Sequence, residues 1–111
     1  MTKLFACFLL ALAVFTGTPA SAQEDPTFRI EFRDGEMSPR EIIVPANTRI
    51  RLDLHNLGET PAEFESHELK KEKVLAPKTS AVLVIRTLAP GRYTFFDDFH
   101  PGNPPAVLIA K

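Results

Sequence analysis

The feature that most constrains this chain is a period-two alternation of apolar and polar residues, broken at short intervals by Pro, Gly, Asn and Asp. Phe28, Ile30 and Phe32 alternate with Arg29, Glu31 and Arg33 up to Asp34-Gly35, and Ile50, Leu52 and Leu54 alternate with Arg51, Asp53 and His55 up to Asn56 and Gly58. In an extended chain successive side chains point to opposite faces, so such segments are half-buried strands. Ile42–Val44 is a short strand bounded by Pro39 and Pro45, and Ala106–Ala110 closes the chain as another. Ala81–Leu88 carries Val82, Leu83, Val84 and Ile85 in succession, the pattern of a central strand covered on both faces. Ala89-Pro90-Gly91 then turns the chain into Arg92–Phe96. Six or seven short strands with almost no helical periodicity predict an all-β fold, an antiparallel β-sandwich. The exception is Thr60–Lys73, charged and β-poor, where one or two helical turns are expected.

The N-terminus sets the compartment. Lys3, an apolar run from Leu4 to Phe15 and the small residues Ala20-Ser21-Ala22 have the three-part layout of a cleaved secretory signal. A run of about a dozen residues is too short for a helix to cross roughly 30 Å of hydrocarbon. The expected division is a leader at Met1–Ala22 and one domain at Gln23–Lys111, exported to the periplasm. Cys7, the only cysteine of the 111 residues, would leave with the leader, so no disulfide or thiolate is expected in the domain. The full chain has 13 basic and 14 acidic side chains; without Lys3 the balance is 12 against 14. Both signs are interspersed, so net charge attracts neither nucleic acid nor an anionic membrane. Partners must be sought at a site.

The candidate site is the loop that follows Tyr93-Thr-Phe-Phe, where Asp97, Asp98 and His100 precede Pro101, Pro104 and Pro105. Prolines fix φ and stiffen such a loop. Asp97 and Asp98 either coordinate a cation or bond turn amides, and as neighbours on an extended strand they face opposite ways, so one of the two is expected to coordinate. His100 is a metal ligand or a histidine packed on Phe99. Glu63 has two readings: a ligand, or the third member of a Thr60-Pro61-Ala62-Glu63 capping box. Glu65, two residues on, could act instead of Glu63 or with it. Met37 offers a thioether, with apolar filling as its alternative role. His67 and His55 read as solvent-facing.

These residues carry a resemblance. The stretch Tyr93-Thr-Phe-Phe-Asp-Asp-Phe-His100-Pro-Gly-Asn-Pro-Pro105 before Val107-Leu-Ile is similar to the last ligand loop of cupredoxins. Asp34-Gly35-Glu36-Met37-Ser38-Pro39, Ile42-Ile-Val-Pro and Asn56 resemble a cupredoxin's first half. The resemblance is greatest to the cysteine-free cupredoxin-like proteins of the EfeO type, found beside bacterial iron permeases, through Glu63-Phe-Glu-Ser66 and Phe95-Phe-Asp-Asp-Phe-His100. It implies a Greek-key sandwich that binds iron and/or copper, with an iron permease or a companion periplasmic iron-binding protein as partner, and oxidation of Fe(II) as a further role. On its register Asp97 takes the thiolate position, the upstream imidazole falls near Ala62 or Glu63, and Pro105 stands near the axial methionine. A type 1 blue-copper centre is thereby excluded, because it depends on the Cu–thiolate bond. The implied ligand set is Glu63, Asp97 and His100, assisted by Glu65, Asp98 or Met37. A metal-independent interaction module anchored on Phe96 and Phe99 is the alternative from another class.

Overall fold

The computed structural model describes residues 11–17 and 24–111, so most of the expected leader, with Cys7, lies outside the described residues. Among the described residues nine strands follow one another: β1 (Thr27–Arg33), β2 (Glu36–Ser38), β3 (Glu41–Val44), β4 (Ile50–Asn56), β5 (Ala62–Ser66), β6 (Lys71–Leu75), β7 (Ser80–Ile85), β8 (Gly91–Asp97) and β9 (Ala106–Ala110). They form a four-stranded sheet in the order β2-β1-β4-β7 and a five-stranded sheet in the order β3-β9-β8-β5-β6. The expected β-sandwich is present. The chain changes sheet after β2, β3, β4, β6 and β7, so most strands meet partners distant in sequence. Most pairs are antiparallel, while β1 with β4 and β3 with β9 run parallel, making both sheets mixed.

Alternation builds the core. Ile30 and Phe32 of β1, with Ile50, Leu52 and Leu54 of β4, face Phe64 of β5, Phe95 of β8 and Leu108 of β9 across the sandwich, all fully buried. Phe64 and Phe95 stack with centroids 5.1 Å apart, inside the range in which aromatic pairs attract beyond simple area burial. Between β1 and β2 the chain reverses in two residues, Asp34 (φ 47°) and Gly35 (φ 93°), with Arg33 paired to Glu36. Two positive φ values are what a tight hairpin with right-handed strand twist requires, and Asp-Gly supplies them at little cost.

Two expectations give way. Thr60–Lys73 is the β5–β6 hairpin and holds no helical turn, and no residue among those described is helical. Ala62, Phe64 and Ser66 point inward while Glu63 and Glu65 point outward, so strand alternation was present beneath the charges. Ser66 ends the strand: its hydroxyl donates to the Thr94 carbonyl at 2.8 Å and accepts from the Leu69 amide at 3.2 Å. The capping-box reading of Glu63 falls with the helix. Nor is β7 a central strand. It forms the edge of its sheet beyond β4, and its apolar run is explained by Ala81, Leu83 and Ile85 facing inward while Val82 and Val84 stand on the outer face.

Candidate metal site

Asp97 closes β8 with its side chain turned inward, opposite Phe64 in the ladder with β5. A carboxylate buried there must have every oxygen engaged. Its Oδ1 accepts from the amides of Glu63 (2.9 Å) and Phe99 (3.1 Å), and its Oδ2 faces Nδ1 of His100 at 2.8 Å. The amides of Asp98 and His100 donate to the carbonyls of Glu63 and Asp97, each at 3.0 Å. The loop after β8 is thus folded around Asp97, and the proline-stiffened stretch from Pro101 returns the chain to β9.

His100 also reaches the β1–β2 turn. Its Nε2 lies 3.3 Å from Thr60 Oγ1, and that hydroxyl is 2.9 Å from Asp34 Oδ1. Asp34 Oδ1 takes the amides of Glu59 and Thr60 as well. The Thr60 hydroxyl first, then these two amides, and the nearby His100 hold the Asp34 carboxyl below its usual range. An ionised Asp34 only accepts, so the Thr60 hydroxyl donates to it and turns a lone pair toward His100. Both ring nitrogens then face oxygen atoms, Nδ1 that of Asp97 and Nε2 that of Thr60. Gly58 and Gly35 are required beneath this network. A Cβ on Gly58 would come within 2.7 Å of the Asp34 amide, and one on Gly35 within 3.1 Å of the His100 ring.

The outer face of the β5–β6 hairpin carries the second group. Glu63, Glu65 and Glu72 each place a carboxylate oxygen within 4.8 Å of the others. Glu65 and Glu72 are cross-strand partners, and like charges opposed in a ladder repel. Desolvation first, then Asp98, Glu65, Glu72 and Asp97, push the Glu63 carboxyl above its usual range. Glu65 is raised too, by desolvation first and then by the neighbouring Asp98; His67 opposes the shift. Four acids gathered on one face, two of them reluctant to ionise, make a place where a cation is favoured.

A model of the cupredoxin-like domain matches residues 6–110. The chain belongs to the cupredoxin-like domain family. An uncharacterized protein of Rickettsia prowazekii is 38% identical over 83 residues, which are 75% of this chain. The chain spans 66% of that relative's length, slightly less than two thirds. Among solved structures, the dithionite-reduced auracyanin of Roseiflexus castenholzii is similar with a TM-score of 0.66 and 15% identity, over 80% of this chain and 99% of the other. A purple cupredoxin of Nitrosopumilus maritimus gives 0.55 and 16%, over 75% and 98%. At such identities the likeness is one of fold.

A type 1 copper centre does not fit this cupredoxin-like chain. It needs a thiolate, and the sole cysteine is Cys7, twenty residues before β1. At the end of β8 stands Asp97 instead, with Oδ1 taken by two amides and Oδ2 by His100. The six residues singled out from sequence therefore fall into three places. Asp97 and His100 hold each other at the end of the sandwich. Glu63 and Glu65 join the outer carboxylates, with Asp98 beside them. Met37 is buried in the core and lines, with Gly35 and Asn103, a cleft beside the β1–β2 turn. Glu63 meets Asp97 through its backbone amide while its carboxylate points away. Glu72, Asp34 and Thr60 were not anticipated. Glu72 becomes legible once Glu65 and Glu72 are set opposite each other in a hairpin, and Asp34 stands out as the first residue of an Asp-Gly turn.

Proposed function

We propose that this protein is a periplasmic cation-binding module of a bacterial iron-uptake system, which takes up a hard metal ion at Glu63, Glu65 and Glu72 with Asp98 assisting. The observation that carries this reading is the convergence of three carboxylate oxygens within 4.8 Å on the β5–β6 hairpin. A divalent or trivalent ion between them replaces repulsion with attraction. Oxygen donors suit iron or Mn(II), and Cu(II) in a non-blue site, and they disfavour Cu(I). The site lies on an open face with Glu72 exposed, so an ion held there stays accessible to a partner that removes it. Asp97 and His100 stand beneath as positioning residues: Asp97 fixes the backbone of Glu63 and, through the loop, the place of Asp98.

The iron assignment draws on the EfeO-type resemblance in Glu63-Phe-Glu-Ser66 and Phe95-Phe-Asp-Asp-Phe-His100, and the compartment on the leader-like N-terminus. Partners of this reading are an iron permease or a companion periplasmic iron-binding protein. Capture and hand-over account for the cluster; a ferroxidase role would further require an electron acceptor beside it. Calorimetric titration with Fe(II) under anaerobic conditions, Mn(II), Zn(II) and Cu(II) tests the reading on protein purified after expression of the full-length chain. Binding at micromolar level that is lost in Glu63→Gln/Glu65→Gln is expected; no binding of any of the four, or unchanged binding by the double variant, overturns it. A second reading, metal-independent docking of an envelope protein, rests on Phe99, which is 45% exposed at the tip of the loop. Partner capture insensitive to chelator and abolished by Phe99→Ala distinguishes it.

A further inference from the structure

The two sheets have four edge strands, and three of them are protected. β2 has only three residues, β3 has four and runs directly into Pro45, and β6 opens with Lys71, Glu72 and Lys73. Short length, proline and charge are the usual devices that stop an edge from pairing with another chain. β7 has none of them. Its six residues, Ser-Ala-Val-Leu-Val-Ile, carry neither charge nor proline, and Val82 is 44% exposed.

The ladder with β4 shows which backbone groups this edge offers. The Asn56 amide donates to the Thr79 carbonyl at 2.8 Å, and the register continues through Leu54–Ala81, Leu52–Leu83 and Ile50–Ile85. In an antiparallel pair hydrogen-bonded positions recur every second residue, so Ala81, Leu83 and Ile85 bond to β4. The N–H and C=O groups of Ser80, Val82 and Val84 point away from β4, to the side where the sheet ends.

We propose that β7 pairs with β7 of a second copy of this chain, antiparallel about a two-fold axis at Leu83, joining the two four-stranded sheets into one. In that register Val82 meets the partner's Val84, Val84 meets the partner's Val82, and Ser80 lies opposite the partner's Arg86. Every hydrogen-bonded pair then falls on the edge groups that bond to nothing else among the described residues. The outer face is complementary as well. Arg51 is the β4 neighbour of Val84 and Asp53 that of Val82, so each cross-strand row runs from Asp53 through two valines to the partner's Arg51, with opposite charges at its ends. No like charges are opposed within the pair. An isologous contact of this kind closes on itself and stops at a dimer. It buries less than the roughly 1,600 Å² of a standard interface, so the dimer is a concentration-dependent one. The carboxylate cluster lies on the other sheet, and association is therefore independent of metal.

Sedimentation equilibrium of protein purified after expression of the full-length chain, with and without chelator, measures the association, and amide exchange by NMR locates it. A monomer–dimer equilibrium is expected, weakened at least ~10-fold, about 1.4 kcal/mol, by Val82→Lys. That side chain stands on the outer face, so the thermal midpoint of the monomer should be unchanged. The amides of Val82 and Val84 should exchange more slowly as concentration rises, while that of Leu83, already bonded to β4, should not. A protein that stays monomeric to millimolar concentration overturns the proposal, as does a dimer that Val82→Lys leaves intact. If that variant fails to fold, concentration-independent exchange at Val82 and Val84 in the unsubstituted protein overturns it equally.

Discussion

Asp97 Oδ2 and His100 Nδ1 lie 2.8 Å apart at the end of β8, joining the two residues that most resemble a cupredoxin's last ligand pair directly to each other. Asp97 is the better buried of the two, and it organises more than the imidazole. Its other oxygen holds the amides of Glu63 and Phe99, one from each side of the β5–β8 ladder.

Substituting Asp97 by Ala should therefore cost stability before it affects any ligand. Two amides lose their acceptor, at about 1–3 kcal/mol for each buried donor left unpaired, so a loss of about 2–6 kcal/mol is expected. Urea denaturation followed by circular dichroism measures it. Asp97→Asn should fall between Ala and the native residue, because its amide oxygen can replace only one of the two acceptors.

Metal affinity should divide along the same line. Glu65→Gln removes a carboxylate from the cluster and is expected to weaken Mn(II) binding at least ~10-fold, about 1.4 kcal/mol. His100→Gln should weaken it far less, because the ring is turned toward Asp97 and Thr60. A saturating ion should also raise the stability of the native protein by about 2.7 kcal/mol at 100 times its dissociation constant, and this gain should vanish in Glu63→Gln/Glu65→Gln. Calorimetry and thermal unfolding with and without Mn(II) check both statements. An equal loss in His100→Gln would move the imidazole into the coordination set.

Much of the fold was legible because alternation in β1 and β4 is strict and one-sided burial enforces it. The segment Thr60–Lys73 misled because Thr-Pro-Ala-Glu and a run of lysines and glutamates favour helix locally, whereas Ala62, Phe64 and Ser66 are held inward by the core. Propensity is a weak prior against burial. The apolar run in β7 was misread for a related reason: a covered strand and an unguarded edge look alike until its neighbours are known. The parallel pairing of β1 with β4 depends on which sheet each strand joins, and no local pattern encodes it. At the site, Asp97 and His100 were visible as neighbours in sequence. The cluster with Glu72 was not, because it exists only through the register of a hairpin that was not expected.

Acidity offers a further test of the cluster in metal-free protein. Glu63 and Glu65 have folded pKa values above the usual 4.5, so the folded state holds protons that the unfolded state releases. Stability must then fall as pH rises from that reference value through the raised folded values, and it must recover as pH falls back through the same window. Metal-free protein should accordingly gain stability on mild acidification, and Glu65→Gln should show a smaller gain. Chemical denaturation across the window measures the difference. A metal-free protein whose carboxylates lose no stability over that rise in pH would show that Glu63 and Glu65 do not repel as placed here.

Asn56 supplies the last test, at the seam between the sheets. It is buried at the end of β4, where Nδ2 lies 2.9 Å from the Thr60 carbonyl, 3.1 Å from that of Leu75 and 3.2 Å from that of Ala76, while Oδ1 accepts from the Gly58 amide at 3.0 Å. One side chain thus ties the loop that carries Thr60 to the end of β6 and the approach to β7. Asn56→Asp keeps the shape and the bond to Gly58 but turns a donor into an acceptor facing three carbonyls. The loss should exceed that of Asn56→Ala, which removes the bonds without adding charge, and be on the order of 3 kcal/mol or more, because a buried charge is left with one oxygen facing carbonyls and only the Gly58 amide as donor. Since Thr60 of this loop bridges Asp34 of the β1–β2 turn and His100, the variant should also loosen His100. Urea midpoints of the two variants, with the His100 side-chain NMR shifts as a local reporter, decide it: if Asn56→Asp is no less stable than Asn56→Ala, the amide is not oriented as described.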